Sequence, residues 1–272
     1  MDLARTETCP VEDLLTPTTL VVLAVGFASG VLAALLGVGG AVLTTPAIRF
    51  LGASPIAAVG STVPAILPGA ISGTLRYRKE GYVRWRIAWT CGLAGVGFAL
   101  VGAWVAGQVD ARWLMVFTAA LVAWSGWQLL AGARRTRQRE RPAAPADPAM
   151  VLLVALGATA GFLAGLLGVG GGVILTPGLA LFGALSIKES IATSLVAVAM
   201  MSVTALAAHT ALGHIDWSFA LPLVIGVIPG ARVGSRITVR ASERTMRLIC
   251  GVAFLILAVV FAAREVAGLA AS

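Results

Sequence analysis

The sequence predicts an all-α polytopic membrane protein built from two inverted-topology repeats. Of its 272 residues, 58% are hydrophobic and 12% are charged, and the mean hydropathy is +0.94, whereas a soluble globular domain is about 25% charged. The apolar residues fall in long runs, and basic residues lie in short loops between them, as in multi-pass membrane proteins. A glycine-broken segment also occurs twice, once in each half of the chain.

The repeated segment gives the first indication of function. Residues 30–46 read GVLAALLGVGGAVLTTP, and residues 161–177 read GFLAGLLGVGGGVILTP. Each copy is an apolar, helix-like run, then a glycine cluster, then a second apolar run. A broken helix is tolerated in a membrane only where protein or water satisfies the freed backbone groups. Two such breaks at matching places in two halves are typical of a transporter's binding site.

The first repeat is predicted to cover residues 18–132. It begins with a glycine-broken helix pair at 18–52, whose arms of about 15 residues would each be only ~23 Å long. We therefore expect a re-entrant hairpin or a tilted pair of short helices. Three spanning helices should follow at residues 56–75, 87–106 and 113–132.

A basic linker and a second repeat complete the predicted organisation. The linker at 133–149 contains ARRTRQRERPAAPADP, with five arginines and three prolines. The second repeat, 150–264, begins with a broken pair at 150–183 and continues with three spans. These spans are predicted at residues 188–208, 217–236 and 247–263. The pattern as a whole predicts about 8–10 membrane helices.

Loop charges predict the orientation of the two repeats. Loop 76–86 is rich in Lys and Arg, but the equivalent loop 209–216 has neither. Because basic loops stay in the cytoplasm, we expect loop 76–86 and the linker inside and loop 209–216 in the periplasm. The halves would then be antiparallel in the lipid bilayer. The net charge of +8 is explained by these loops, so no nucleic-acid partner is predicted.

The motifs also identify a resemblance. The doubled glycine cluster followed by Thr-Pro, with ATSL at 192–195 and GHIDW at 213–217, resembles the sulfite exporter TauE/SafE family of membrane permeases. The resemblance extends from about residue 20 to residue 263. It implies a transporter of the bacterial inner membrane, often for sulfur-containing anions such as sulfite or organosulfonates. The copies differ where Ala41 replaces the Gly172 of the second copy.

The candidate binding site consists of the two glycine clusters and the hydroxyl groups near them. The second arm of each pair begins at the glycines, and a helix N-terminus with its free N–H groups suits an anion. The alternatives are close helix packing for the glycines and bonds to a carbonyl one turn back for the hydroxyls. The predicted substrate-binding residues are Gly37, Gly39, Gly40, Thr44, Thr45, Ser61 and Thr62 in the first repeat, and Gly168, Gly170, Gly171, Gly172, Thr176, Thr193 and Ser194 in the second.

Other kinds of chemistry are disfavoured by the sequence. All twelve acidic residues lie in termini, loops or span ends, away from the mid-span positions where cation sites and proton relays usually have a carboxylate. The three cysteines are far apart and form no cluster with histidine. We therefore predict no metal site, no cofactor and no enzymatic activity. The chain also lacks the GxxxxGK[ST] motif of ATP hydrolysis.

These observations together predict a secondary transporter for a small anion. It would work by alternating access, with a proton or sodium as a possible coupling ion. One alternative is a carrier of another small solute, such as a carboxylate or a metal ion. A second alternative is a membrane subunit that transports nothing, although such a subunit has no need of paired backbone breaks.

Overall fold

The computed structural model is helical throughout the part of the chain that it describes. The described residues are 17–53, 55–106, 120, 122–131, 149–167, 170–183, 185–211 and 213–270. By length and composition, five of the described helices could cross a membrane, namely Pro17–Leu36, Ala57–Lys79, Trp85–Gly102, Ile187–Ala211 and Trp217–Arg240. The predicted all-α membrane fold is therefore confirmed.

The same order of long and short helices occurs in both halves. The helices of the first half are α1 (Pro17–Leu36), α2 (Ala41–Phe50), α3 (Pro55–Lys79), α4 (Trp85–Ala106) and α5, the helical residues 122–131. Those of the second half are α6 (Met150–Leu167), α7 (Gly172–Leu181), α8 (Ile187–Ala211), α9 (Trp217–Arg240) and α10 (Glu243–Ala270). The predicted linker and part of the predicted span 113–132 lie outside the described residues.

The two arms of each glycine-broken pair differ in length, so the expectation of equal arms is wrong. α1 has 20 residues and α2 has 10, while α6 has 18 and α7 has 10. At 1.5 Å per residue, α1 is ~30 Å long and α2 only ~15 Å. The second arm is short because a turn at Gly52, with φ +99°, ends it soon after the glycine break.

The first helix of each half packs against a helix of the other half. α1 lies along α9, and α6 lies along α4. Both contacts are close because glycines face backbone: a Cβ on Gly30 would collide with the carbonyl of Val227, and one on Gly161 with the carbonyl of Gly95. Small residues allow this approach of helix backbones in membranes. Gly30 and Gly161 are equivalent in the sequence repeat, so the two interfaces correspond.

α3 and α8 form the centre of the molecule. They pack against each other, α3 also contacts α9, and α8 also contacts α4. The short helices are attached to this centre, with α2 on α3 and α7 on α8. Residues 190–198 of α8 are buried without interruption. Polar side chains on this stretch therefore lie inside the protein rather than against lipid.

Candidate functional site

The glycine breaks have backbone conformations that favour glycine. Four residues in these loops have positive φ angles between +74° and +88°, where an L side chain is strained. They are Gly37, Gly39, Gly40 and Gly170. Gly168 of the predicted site lies outside the described residues. The predicted interruption of the helices is confirmed at both places, since α1 ends at Leu36 and α7 begins at Gly172.

The break of one half lies directly against the break of the other. A Cβ on Gly170 would be 2.8 Å from the carbonyl oxygen of Val38, and one on Gly172 would be 2.6 Å from the Cα of Val38. Neither approach leaves room for a side chain. The structure therefore brings together the two glycine clusters that the sequence places 131 residues apart.

Buried hydroxyl groups bond to two carbonyls of the first break. Ser29 donates from Oγ to the carbonyl of Gly40 at 2.8 Å, and Ser194 donates to the carbonyl of Gly37 at 3.1 Å. Both serines are fully buried. A membrane protein needs such partners where a helix is interrupted. Ser194 belongs to the second half, so the second half provides a hydrogen-bond partner for the first break.

A pair of hydroxyls stands beside the break in each half. Thr176 on α7 and Ser194 on α8 have their oxygens 2.8 Å apart and are fully buried. The equivalent residues, Thr45 on α2 and Thr62 on α3, are 3.4 Å apart, and Thr45 is partly exposed. The same pair of hydroxyls thus occurs in both halves, and the distance between its oxygens is shorter in the second half than in the first.

Two further predicted hydroxyls link the halves at the two hairpin loops, which are the loop between α3 and α4 and the loop between α8 and α9. Thr193 accepts the backbone N–H of Arg84 at 3.2 Å, and Ser61 accepts the backbone N–H of Asp216 at 2.9 Å. The two bonds are equivalent, because residues 84 and 216, like 61 and 193, are related by the repeat. They also show that α3 and α8 run antiparallel, since each bond joins the start of one helix to the loop after the other.

Several hydroxyls also bond to a carbonyl one turn back, as the structural alternative predicts. Thr44 bonds to Gly40 at 3.3 Å and Thr62 to Val59 at 2.8 Å. The carbonyl of Ile191 lies 3.0 Å from the Oγ of Ser194 and shares its one proton with the carbonyl of Gly37. Sequence reasoning missed Ser29, which is a single hydroxyl in an otherwise apolar run. The helix is interrupted between Ser29 and Gly40, so helical spacing could not indicate the contact.

Charged side chains distinguish the two hairpin loops. Arg84 donates from Nε to Oε1 of Glu189 at 2.9 Å, and the other carboxylate oxygen of Glu189 accepts the N–H of Ser186 at 3.0 Å. At the opposite loop, the Asp216 carboxylate instead caps its own helix through the N–H of Ser218 at 3.0 Å. Only the Arg84 loop therefore has an ion pair between the halves among the described residues.

Metal-binding side chains are scarce in the described part of the chain. No three of its His, Cys, Asp and Glu side chains lie close enough together to hold a metal ion. Its two histidines, His209 and His214, lie 5.6 Å apart between ring centroids, near the end of α8. The groups that converge on the glycine breaks are instead hydroxyls, backbone amides and apolar side chains.

Long apolar helices, two apposed glycine breaks and buried hydroxyls together define a multi-pass membrane permease. The model of the sulfite exporter TauE/SafE family matches residues 22–261. The chain therefore belongs to this family, and the resemblance noted in the sequence is confirmed. The match includes both halves and both breaks.

Curated relatives are named as probable membrane transporters. A "probable membrane transporter protein" of Xylella fastidiosa is 26% identical over 254 residues, covering 91% of this chain and 94% of the relative. The "probable membrane transporter protein YunE" of Bacillus subtilis is 24% identical, covering 88% and 95%. The "probable inner membrane transporter protein TsaS" of Comamonas testosteroni is 31% identical, covering 79% and 85%. No solved structure matches the chain significantly.

Proposed function

We propose that this permease is a secondary transporter that moves a small anion, such as sulfite or an organosulfonate, across the bacterial inner membrane by alternating access. The observation that carries the proposal is the contact between the two glycine breaks. Gly170 and Gly172 of one half lie against Val38 of the other. A site shared by both halves is accessible from either side when the halves move relative to each other.

The chemistry of the breaks supports an anionic solute. Hydroxyls of Ser29 and Ser194 already bond to the carbonyls of the first break, which leaves backbone N–H groups as the natural partners for a ligand. α7 begins at Gly172, and its N-cap residue Gly171 provides no side-chain cap. A helix N-terminus without a side-chain cap has free donors and a partial positive charge. The middle of α3 and that of α8 contain no carboxylate to attract a cation.

The family name and the relatives support the finer parts of the proposal. The family is described as a sulfite exporter family, which supports a sulfur oxyanion or sulfonate and the outward direction. The Comamonas testosteroni relative is named as an inner membrane transporter, which supports the same membrane for this chain. A proton or sodium remains the proposed coupling ion.

Alternating access is supported by the two equivalent links at opposite ends of α3 and α8. One joins Thr193 to the loop before α4, and the other joins Ser61 to the loop before α9. Separating the helices at one end while the other link holds would expose the breaks to one side of the membrane. Separation at the other end would expose them to the opposite side.

A thermal-shift screen followed by flux measurement tests the proposal. Purified protein is heated with sulfite, sulfate, thiosulfate, alkanesulfonates, carboxylates and divalent metal chlorides. We expect one class of anion to raise the melting temperature, because a ligand that binds only the folded state stabilises it. The same anion should then cross proteoliposome membranes. Stabilisation by divalent metals alone would overturn the proposal.

Site variants connect this result to the breaks. Combined substitution Thr176→Ala and Ser194→Ala should reduce both the melting shift and the flux. The matched control is Thr159→Ala, because Thr159 is an exposed hydroxyl of α6 that bonds to a carbonyl one turn back at 2.7 Å. Equal loss of flux per folded molecule in the control and the double variant would show that the buried hydroxyls have no special role.

A further inference from the structure

We propose that Ile66 and Val198 form an apolar barrier beside the two apposed glycine breaks and determine the size of the solute that passes. This inference rests on the transport function proposed above. Both residues are the twelfth of a 25-residue central helix, Ile66 in α3 and Val198 in α8. They are also equivalent in the sequence repeat. The pair therefore lies halfway along the two helices that form the centre of the molecule.

The two side chains form an apolar contact of their own. Ile66 is 5% exposed and Val198 is 1% exposed. Together they make a separate buried cluster, distinct from the three larger apolar clusters of the described residues. Small satellite clusters are common beside the main core of a domain, so the role of this pair depends on what else its side chains touch.

The methyl groups of this pair occupy the space beside the glycine breaks. A Cβ on Gly39 would be 2.8 Å from Cγ1 of Val198 and 3.0 Å from Cγ2 of Ile66. A Cβ on Gly170, the repeat equivalent of Gly39, would be 4.0 Å from the same Val198 methyl. Val198 and Ile66 thus contact Gly39 of the first break, and Val198 also lies near Gly170 of the second. A solute that reaches the breaks when α3 and α8 separate would meet these methyl groups.

This arrangement has two consequences for transport. Contacting methyl groups offer no hydrogen bonds to water, and apolar constrictions of this kind close a pathway to ions by excluding water. The pair therefore prevents leak when no solute is bound. The space that opens when α3 and α8 separate also depends on the volume of these side chains. Shortening them should admit a larger solute.

The test measures selectivity by size. Proteoliposomes containing the wild type or the double variant Ile66→Ala and Val198→Ala are given methane-, propane- and pentanesulfonate. One methylene changes discrimination by roughly ten- to 200-fold in an apolar pocket, so uptake of the longest anion relative to the shortest should rise by about tenfold or more. The ratio should stay unchanged in Val196→Ala, because Val196 is a buried valine of the same helix in the largest apolar cluster. An unchanged ratio in the folded double variant would overturn the inference.

A second measurement does not depend on the transported solute. Passive chloride leak is compared between vesicles with wild type, with Ile66→Ser and Val198→Ser combined, and with Val196→Ser. Leak should rise only in the combined variant, because its hydroxyls allow water into the constriction. If wild type moves no anion but the leak rises, the proposed anion transport fails and the barrier stands. If the leak is unchanged in folded protein, the barrier is overturned.

The milder substitution Ile66→Val covers the case in which the double variants do not fold. It removes one methylene from the pair, which is the mildest kind of core truncation. Uptake of pentanesulfonate relative to methanesulfonate should rise again, but by less than in the double variant. No shift in this folded variant would count against the inference.

Discussion

The two hairpin loops at the ends of α3 and α8 have the same backbone contact but different side-chain support. In both, an N–H just before a long helix donates to a hydroxyl of the other half, Arg84 to Thr193 and Asp216 to Ser61. Beside the first bond, Arg84 also pairs with Glu189. Asp216 uses its carboxylate on its own helix. The repeat therefore preserves the backbone frame, whereas the charges differ between the two ends.

Further contacts increase this difference. At the start of α8, the N–H of Ile187 donates to Glu243 at 2.7 Å, and Lys188 donates to the carbonyl of Val239 at 2.8 Å. The start of α8, which lies beside Arg84, is thus bonded to the loop before α4, to α9 and to α10. The ion pair itself contributes little, since Arg84 is 48% exposed and such pairs are worth about 0–1 kcal/mol. The start of α8 therefore differs from the Asp216 loop mainly in the number of helices that its hydrogen bonds connect.

The largest expected effect concerns which end faces the cytoplasm. Gly81 and Gly213 are equivalent, exposed loop residues with similar positive φ angles, +74° and +66°. Each is changed to cysteine in a background without Cys9, Cys91 and Cys250. A membrane-impermeant maleimide should label Gly213→Cys in intact cells and Gly81→Cys only after permeabilisation, because basic loops stay inside. Labelling of both from the same side would contradict the inverted repeat.

The next largest effect is expected on stability, where a glycine of the second break is compared with a glycine of the loop between α3 and α4. Gly170→Ala places a Cβ 2.8 Å from the Val38 carbonyl, whereas Gly81→Ala meets nothing within 4 Å at a similar positive φ. Both pay about 1–2 kcal/mol for the left-handed backbone, and overpacking adds about 1–3 kcal/mol at Gly170. Thermal unfolding in detergent should show the larger drop for Gly170→Ala, together with loss of flux. Equal drops would mean that the halves have space between their breaks.

A smaller effect distinguishes the two hydroxyl pairs. Ser194→Ala leaves the buried Gly37 carbonyl without its hydroxyl donor, which costs about 1–3 kcal/mol. Thr62→Val keeps the side-chain shape and removes a hydroxyl that bonds to Val59 on its own helix, so the cost should be below about 1 kcal/mol. Unfolding midpoints of the two purified variants give the comparison. A greater loss in Thr62→Val would reverse the proposed order of the two pairs.

The smallest effect is expected at the carboxylates of the two loops. Glu189→Gln removes the half-exposed ion pair with Arg84 and should cost about 1 kcal/mol or less. Asp216→Asn should be nearly neutral, because asparagine caps a helix as well as aspartate does. Thermal unfolding midpoints of the two purified variants check this order. A larger loss in Asp216→Asn than in Glu189→Gln would contradict it.

The sequence was sufficient to predict the helices and the breaks, because long apolar runs and glycine clusters directly reflect the demands of a membrane. It could not predict which helices pack together. The apolar face that meets lipid and the apolar face that meets protein use the same residue types, so Gly30 gives no sign that it contacts Val227. The start of the first pair is predicted within one residue, at 18 against Pro17, but the expectation of equal arms ignores that the glycine break lies beyond the middle of residues 18–52.

The pairing of hydroxyls could be predicted only in part. Alignment of the halves relates Thr45 to Thr176 and Thr62 to Ser194, which indicates that the members of each set share a role. It does not show that Ser194 reaches the break of the opposite half. That contact depends on how α8 lies against α1, and two helices this far apart in sequence leave no local pattern of their packing.

The packing of α1 on α9 also has a consequence for how the protein is made. α9 begins at residue 217, so the ribosome adds roughly 180 residues after finishing α1, which takes about 10 to 40 seconds at ~5–20 residues per second. Until then Gly26 and Gly30 lack the α9 backbone that they face in the folded protein. α6, by contrast, emerges soon after α4. α1 is therefore among the last of the described helices to reach its final neighbours, and a nascent chain released before α9 would leave it unpaired.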